Sequence, residues 1–164
     1  MKKFLKKLIP VLLLVLFVVP AFTGCDFLGL LSGDPEIEII GTWNDAFGSI
    51  TVSGSEIDFG SWKADIVEFN NSGWNGDETA LAEGDAGYAV LKYSEAPSWN
   101  PGILDKYMIL RWKNLTTVSG ETTMDYAEGY LNADSYFDTA SEAKSTVTNA
   151  GGYFMFFTSG AVKE

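Results

Sequence analysis

From Glu36 onward, apolar and polar residues alternate with a period of two, the pattern of strands with one buried face. Glu36 to Trp43 places Ile37, Ile39, Gly41 and Trp43 on one face. Ser49 to Ser53 repeats the pattern with Ile50 and Val52, and Glu56 to Trp62 with Ile57 and Phe59. Ala64 to Asn70 follows, with either Val67 and Phe69 or Ile66 facing inward. The links between these segments are very short, so the four form an antiparallel meander. Asn70 to Ala86 is a long polar loop. Gly87 to Tyr93 then sets Ala89, Leu91 and Tyr93 against Tyr88, Val90 and Lys92. Ser94 to Asp105 is a second loop, with Pro97, Trp99 and Pro101. Lys106 to Leu115 is the strongest strand: Tyr107, Ile109 and Arg111 alternate with Met108, Leu110 and Trp112. Thr123 to Leu131 carries Met124, Tyr126 and Tyr130 on one face. Thr139-Ala140-Ser141-Glu142 is a capping box, in which a hydroxyl and a carboxylate satisfy amides that a helix start leaves open. It opens a helix with Ala140, Ala143 and Val147 on one side, stopped by Gly151-Gly152. Tyr153 to Thr158 is a last apolar strand. About eight strands and one late α-helix predict an all-β domain, a closed antiparallel up-and-down barrel that leaves no sheet edge. A two-sheet β-sandwich is the alternative.

The chain before Glu36 follows other rules. Lys2, Lys3, Lys6 and Lys7 precede an apolar run from Leu8 to Ala21, the layout of an export signal. The run is about 14 residues, short of the roughly 20 that span a bilayer. It ends at Phe22-Thr23-Gly24-Cys25, which resembles the lipobox of bacterial lipoproteins, with phenylalanine where leucine is usual. The resemblance implies cleavage before Cys25 and acyl chains on its sulfur and amine. Three parts are therefore expected: 1–24 a signal peptide, 25–35 a lipidated cysteine and tether, and 36–164 a single β domain. Cys25 is the only cysteine, so no internal disulfide is possible.

Within the domain, Gly41-Thr42-Trp43 resembles the Gly-x-Trp signature of lipocalins and related small barrels, as does a late helix followed by one more strand. The resemblance implies that Gly41 and Trp43 plug the closed end of a barrel. The segment from Tyr107 to Lys113 and the one from Tyr153 to Phe157 are also similar to uncharacterised lipoproteins of spirochaetes and other bacteria. That likeness implies a membrane-anchored protein in the periplasm or at the cell surface, and no known reaction.

Composition narrows the chemistry. The chain has no histidine, which excludes Ser-His-Asp and Cys-His nucleophile systems and ordinary zinc sites. Removing the signal takes four of the 11 basic residues and none of the 22 acidic ones, leaving a formal charge of −15. Such a charge repels phosphate backbones, so nucleic acid is not an expected partner. The acidic loop around Asn71, Asn75, Asp77, Glu78, Glu83 and Asp85 offers oxygen ligands but not the spacing of a twelve-residue calcium loop. No metal site, no catalytic set and no cofactor is expected. The tryptophans Trp62, Trp74, Trp99 and Trp112 are candidates for a sugar-stacking or apolar-ligand surface; Trp74 and Trp99, in the two long loops, are expected to be neighbours on one rim, and Arg111 and Tyr107 join Trp112 as candidates on the strongest strand. The leading expectation is a non-enzymatic, lipid-anchored carrier or sensor holding a small apolar or amphipathic ligand in its barrel, partnered with the membrane through its acyl chains. The alternatives are an adhesive lipoprotein that contacts a protein or glycan and, third, a carboxylate-based hydrolase. A cavity of several hundred Å³ would favour the carrier and a filled interior the adhesin.

Overall fold

The computed structural model describes residues 36–73, 85–131 and 135–164. The expected signal segment, Cys25, the tether, Trp74 and most of the acidic loop lie outside the described residues. Eight strands follow one another in chain order and close into an antiparallel barrel. They are β1 (Gly41–Asn44), β2 (Ser49–Val52), β3 (Glu56–Asp58), β4 (Lys63–Asn70), β5 (Asp85–Glu95), β6 (Tyr107–Val118), β7 (Glu121–Glu128) and β8 (Thr158–Lys163). A short helix, α1 (Ala140–Thr146), lies between β7 and β8. Among the described residues no helix is long and apolar enough to cross a membrane.

The short hairpins follow from local side-chain chemistry. Asp45 Oδ1 accepts the amides of Phe47 (2.6 Å) and Gly48 (3.1 Å), which shapes the β1–β2 turn. Ser53 Oγ accepts the Glu56 amide at 2.8 Å between β2 and β3. Ser119 and Gly120 both have positive φ, 56° and 89°, the pairing that matches hairpin twist between β6 and β7.

Alternation sorts the side chains into two cores. Met108, Leu110 and Trp112 of β6 point into the barrel with Ala89, Leu91 and Tyr93 of β5. Val90 and Ile109 point outward, yet they are fully buried. The connection after β7 covers them with Phe137, Ala143, Val147, Tyr153 and Phe154. α1 is fixed there by Thr139, whose hydroxyl accepts the Glu142 amide at 3.1 Å.

Three expected elements differ from the structure. Ile37 to Ile40 is a turn, not the start of β1, with the Ile40 amide donating to the Ile37 carbonyl at 3.4 Å. Ile37 and Ile39 are buried at one end of the barrel while Ile40 is half-buried, and the burial of alternate residues reproduces the period of a strand. In β4 a bulge between Ile66 and Glu68 shifts the register, so both Ile66 and Phe69 reach the core while Val67 is exposed. The apolar run from Tyr153 to Phe157 is not a strand. Tyr153 and Phe154 pack over the outer face of β5 and β6, and the more polar Thr158–Lys163 forms β8.

Candidate functional site

The two ends of the barrel are built differently. At one end the Ile37–Ile40 turn is buried in the opening. Two indoles hold it: Trp43 Nε1 donates to the Ile39 carbonyl at 2.7 Å, and Trp112 Nε1 donates to Glu38 Oε1 at 2.6 Å. Glu38 in turn gives its amide to Asn71 Oδ1 at 3.0 Å. Gly41, at φ +136°, leaves room for the Lys163 stem, whose ammonium lies 5.6 Å above the Trp43 ring. Apolar side chains fill the interior above this closed end.

The opposite end is open. There the β1–β2 and β3–β4 turns and the last residues of β7 surround a cavity of about 190 Å³. One wall is aromatic. Phe59 and Trp62 stack with centroids 3.7 Å apart at 15°, Tyr93 leans on Trp62 at 4.9 Å, and Tyr136 meets Tyr93 edge-on at 5.7 Å. The other wall carries two carboxylates, Asp45 and Glu128, beside Tyr126 and Phe47.

The carboxylates are held differently. Asp45 is committed to its turn: Oδ1 accepts two amides and Oδ2 accepts the Tyr126 hydroxyl. Burial, and after it that bond, push the Tyr126 phenol well above its ordinary range. Glu128 continues the inward face of β7 after Met124 and Tyr126. It has no hydrogen-bond or ion-pair partner among the described residues. Protein surrounds its carboxyl on most sides, while water in the mouth still reaches the side chain. Burial pushes its pKa up to about 7. The same charge raises the nearby Tyr93 and Tyr136 phenols, on top of the effect of their burial.

Compared with known proteins, the chain shows no significant match to any family model, curated protein or solved structure. The site is therefore read from its own geometry.

Of the sequence-derived candidates that are described, Trp62 lines this cavity and Trp99, Trp112, Arg111 and Tyr107 do not. Trp99 is 70% exposed on the β5–β6 connection, at the open end. The β4–β5 connection leaves the closed end, because successive links of an up-and-down barrel alternate ends. Trp74, on that connection, lies outside the described residues. Trp112 is buried at the closed end, and Arg111 is buried on the outer face with its guanidinium 4.1 Å above the Phe154 ring. Tyr107 is half-buried on the same outer face, its backbone bridged to Phe137. Asp45, Phe47, Phe59, Tyr126 and Glu128 were not singled out as site residues. The available signal was an acid at the next inward position after Met124 and Tyr126.

The raised carboxyl makes a testable statement about stability. The folded state keeps the Glu128 proton to higher pH than the unfolded chain. Stability from this group is therefore complete below about pH 4.5 and is lost as pH rises through 7. A dry site with this pKa would cost about 3 kcal/mol when charged. Water in the mouth screens it, leaving about 1 kcal/mol. Glu128→Gln is expected to raise stability by about that amount at pH 8 and to leave it unchanged at pH 4. Unfolding midpoints of the two proteins at both pH values check this, and equal shifts at the two values would refute it.

Proposed function

We propose that the chain is a lipid-anchored, non-enzymatic binding protein that holds a small amphipathic molecule in the open mouth of its barrel. The observation that carries the reading is the cavity of about 190 Å³ walled by the Phe59–Trp62 stack at the open end of the barrel. Its size suits one ring rather than a long acyl chain, since a pocket of roughly 150 Å³ admits benzene. It is smaller than the several hundred Å³ of a typical drug-sized ligand site. The anchor rests on Phe22-Thr23-Gly24-Cys25 and places the domain outside the cytoplasm, on the inner or outer membrane. Turnover by paired carboxylates is the weaker reading, because Asp45 has both oxygens committed to donors in and beside its turn.

Native mass spectrometry of the detergent-solubilised full-length protein from its own cells tests this. The expected result is a small co-purified mass that Trp62→Ala removes, on a chain bearing acyl masses at Cys25. A bare mass across repeated preparations would overturn the carrier.

A second reading is favoured by the rim itself. Phe47 is 88% exposed and lies with Trp99 on connections at the open end, and Phe156, 82% exposed, lies on the connection that leads into β8. Large apolar groups left in water mark contact surfaces. On this reading the open end rests on a protein or glycan partner, and alanine at Trp99 and Phe156, neither of which lines the cavity, would weaken adhesion without changing the bound small molecule.

A further inference from the structure

We propose that the mouth selects a small organic cation, a protonated amine or quaternary ammonium on a compact apolar body, with Glu128 as its counter-ion and the Phe59–Trp62 stack as its wall. The inference rests on reading the mouth as a ligand site and adds the ligand's charge.

The cavity is anionic without internal compensation. No lysine or arginine is among its lining residues. The titratable groups that face Glu128 are Tyr93 from β5, Tyr126 from its own strand, Tyr136 from the connection after β7 and Asp45 from the β1–β2 turn. At neutral pH each is neutral or negative. Lysines on strands and connections around this end are engaged elsewhere: Lys63 with Asp58 at 3.1 Å, Lys92 with Asp105 at 2.7 Å, and Lys106 with Asp138. An arriving cation therefore displaces no internal one, and an arriving anion meets two carboxylates.

The wall fits the same partner. Aromatic faces attract cations through the ring quadrupole, most strongly for tryptophan and where water is partly excluded. A compact apolar body fills the remaining volume against Phe59 and Trp62. A metal ion fits less well. Among the described residues no group of three or more ligating side chains comes together, and the oxygens of Asp45 already accept three donors. Glu128 alone supplies an uncommitted charge, and one carboxylate suits an ammonium group better than a multidentate cation. Because the Glu128 pKa is raised to about 7, uptake and proton binding compete: the ligand is held at pH 8 and released as the carboxyl protonates.

Titration calorimetry on the detergent-solubilised full-length protein decides it, with benzylammonium, benzyl alcohol, benzoate and calcium chloride as probes. At pH 8 benzylammonium is expected to bind about tenfold more tightly than benzyl alcohol, with benzoate weakest. Glu128→Gln should close the gap between amine and alcohol. Lowering the pH to 5 on the unaltered protein should do the same, which keeps the test valid if the variant misfolds. Equal binding of amine and alcohol would overturn the cation but leave a small-ligand mouth. Absence of binding by either, or binding unchanged in Trp62→Ala, would overturn both. Displacement of benzylammonium by calcium would reassign the mouth to a metal.

Discussion

Trp43→Ala is expected to destabilise the domain by about 4 kcal/mol, the range for truncating a large buried ring. Three contributions are lost together. The indole is 0% exposed and fills the closed end. Its Nε1–H is the donor to the Ile39 carbonyl, which would remain buried without that bond. The Lys163 stem, which crosses Gly41 and the ring, would lose its support on the β8 side. Chemical denaturation of the variant measures the loss. Trp99→Ala is the internal control, since an exposed loop ring is worth no more than about 0.5 kcal/mol. A loss below about 1 kcal/mol for Trp43→Ala would mean that the closed end is not sealed by this ring.

Gly87→Ala is expected to cost about 3 kcal/mol, although it adds one methyl group. A Cβ at Gly87 would sit 2.3 Å and 2.5 Å from two ring carbons of Trp112 and 2.5 Å from the Asn70 carbonyl oxygen. Neither neighbour can yield easily. The Trp112 ring is tied to Glu38 by a 2.6 Å hydrogen bond, and Asn70 is the last residue of β4, paired with β5. Gly87 stands directly across from Trp112 in the β5–β6 register, so its missing side chain is the seat of the indole. The double variant Gly87→Ala with Trp112→Leu should lose less than the two single losses added, by at least about 1 kcal/mol. Strict additivity would show that the clash is relieved by backbone movement instead.

These two positions differ in how visible they were. Trp43 stands in a Gly-x-Trp pattern at the head of an alternating segment, so both its strand and its inward face could be read directly. Gly87 looked like the start of a strand, and nothing local marks it as the seat of a tryptophan 25 positions on. The barrel as a whole was legible because period-two alternation and short turns are local signals. What failed was where local signals imitate one another. The Ile37–Ile40 turn buries alternate residues as a strand would. Tyr153 to Phe157 is apolar because it covers another sheet face, not because it lies within the barrel wall. The β4 bulge left Ile66 against Val67 and Phe69 undecidable, since a one-residue slip reverses the faces. The mouth was the least legible part. Asp45, Trp62 and Glu128 come from three distant segments, and only barrel closure brings them around one cavity. Of these, only Trp62 carries a local signal, a large aromatic ring beside a turn, while Arg111, equally conspicuous in the sequence, stacks on Phe154 on the outer face.

Closure also sets an order of assembly. The β1–β8 seam joins residues about as far apart as the domain allows: Asn44 bonds Glu164 across 120 positions, and the Glu164 amide reaches the Thr42 carbonyl. Only two pairs, Trp43 with Lys163 and Asn44 with Val162, define its register. Contacts so distant in the chain form late. Until β8 arrives, β1 has one unpaired edge and Trp43 lacks the lysine that lies over it. A chain that emerges from the ribosome leading end first cannot complete this barrel until its last strand is out. The seam that finishes the fold is thus the last part of the wall to be guarded, and until then the edge of β1 is open to any other strand.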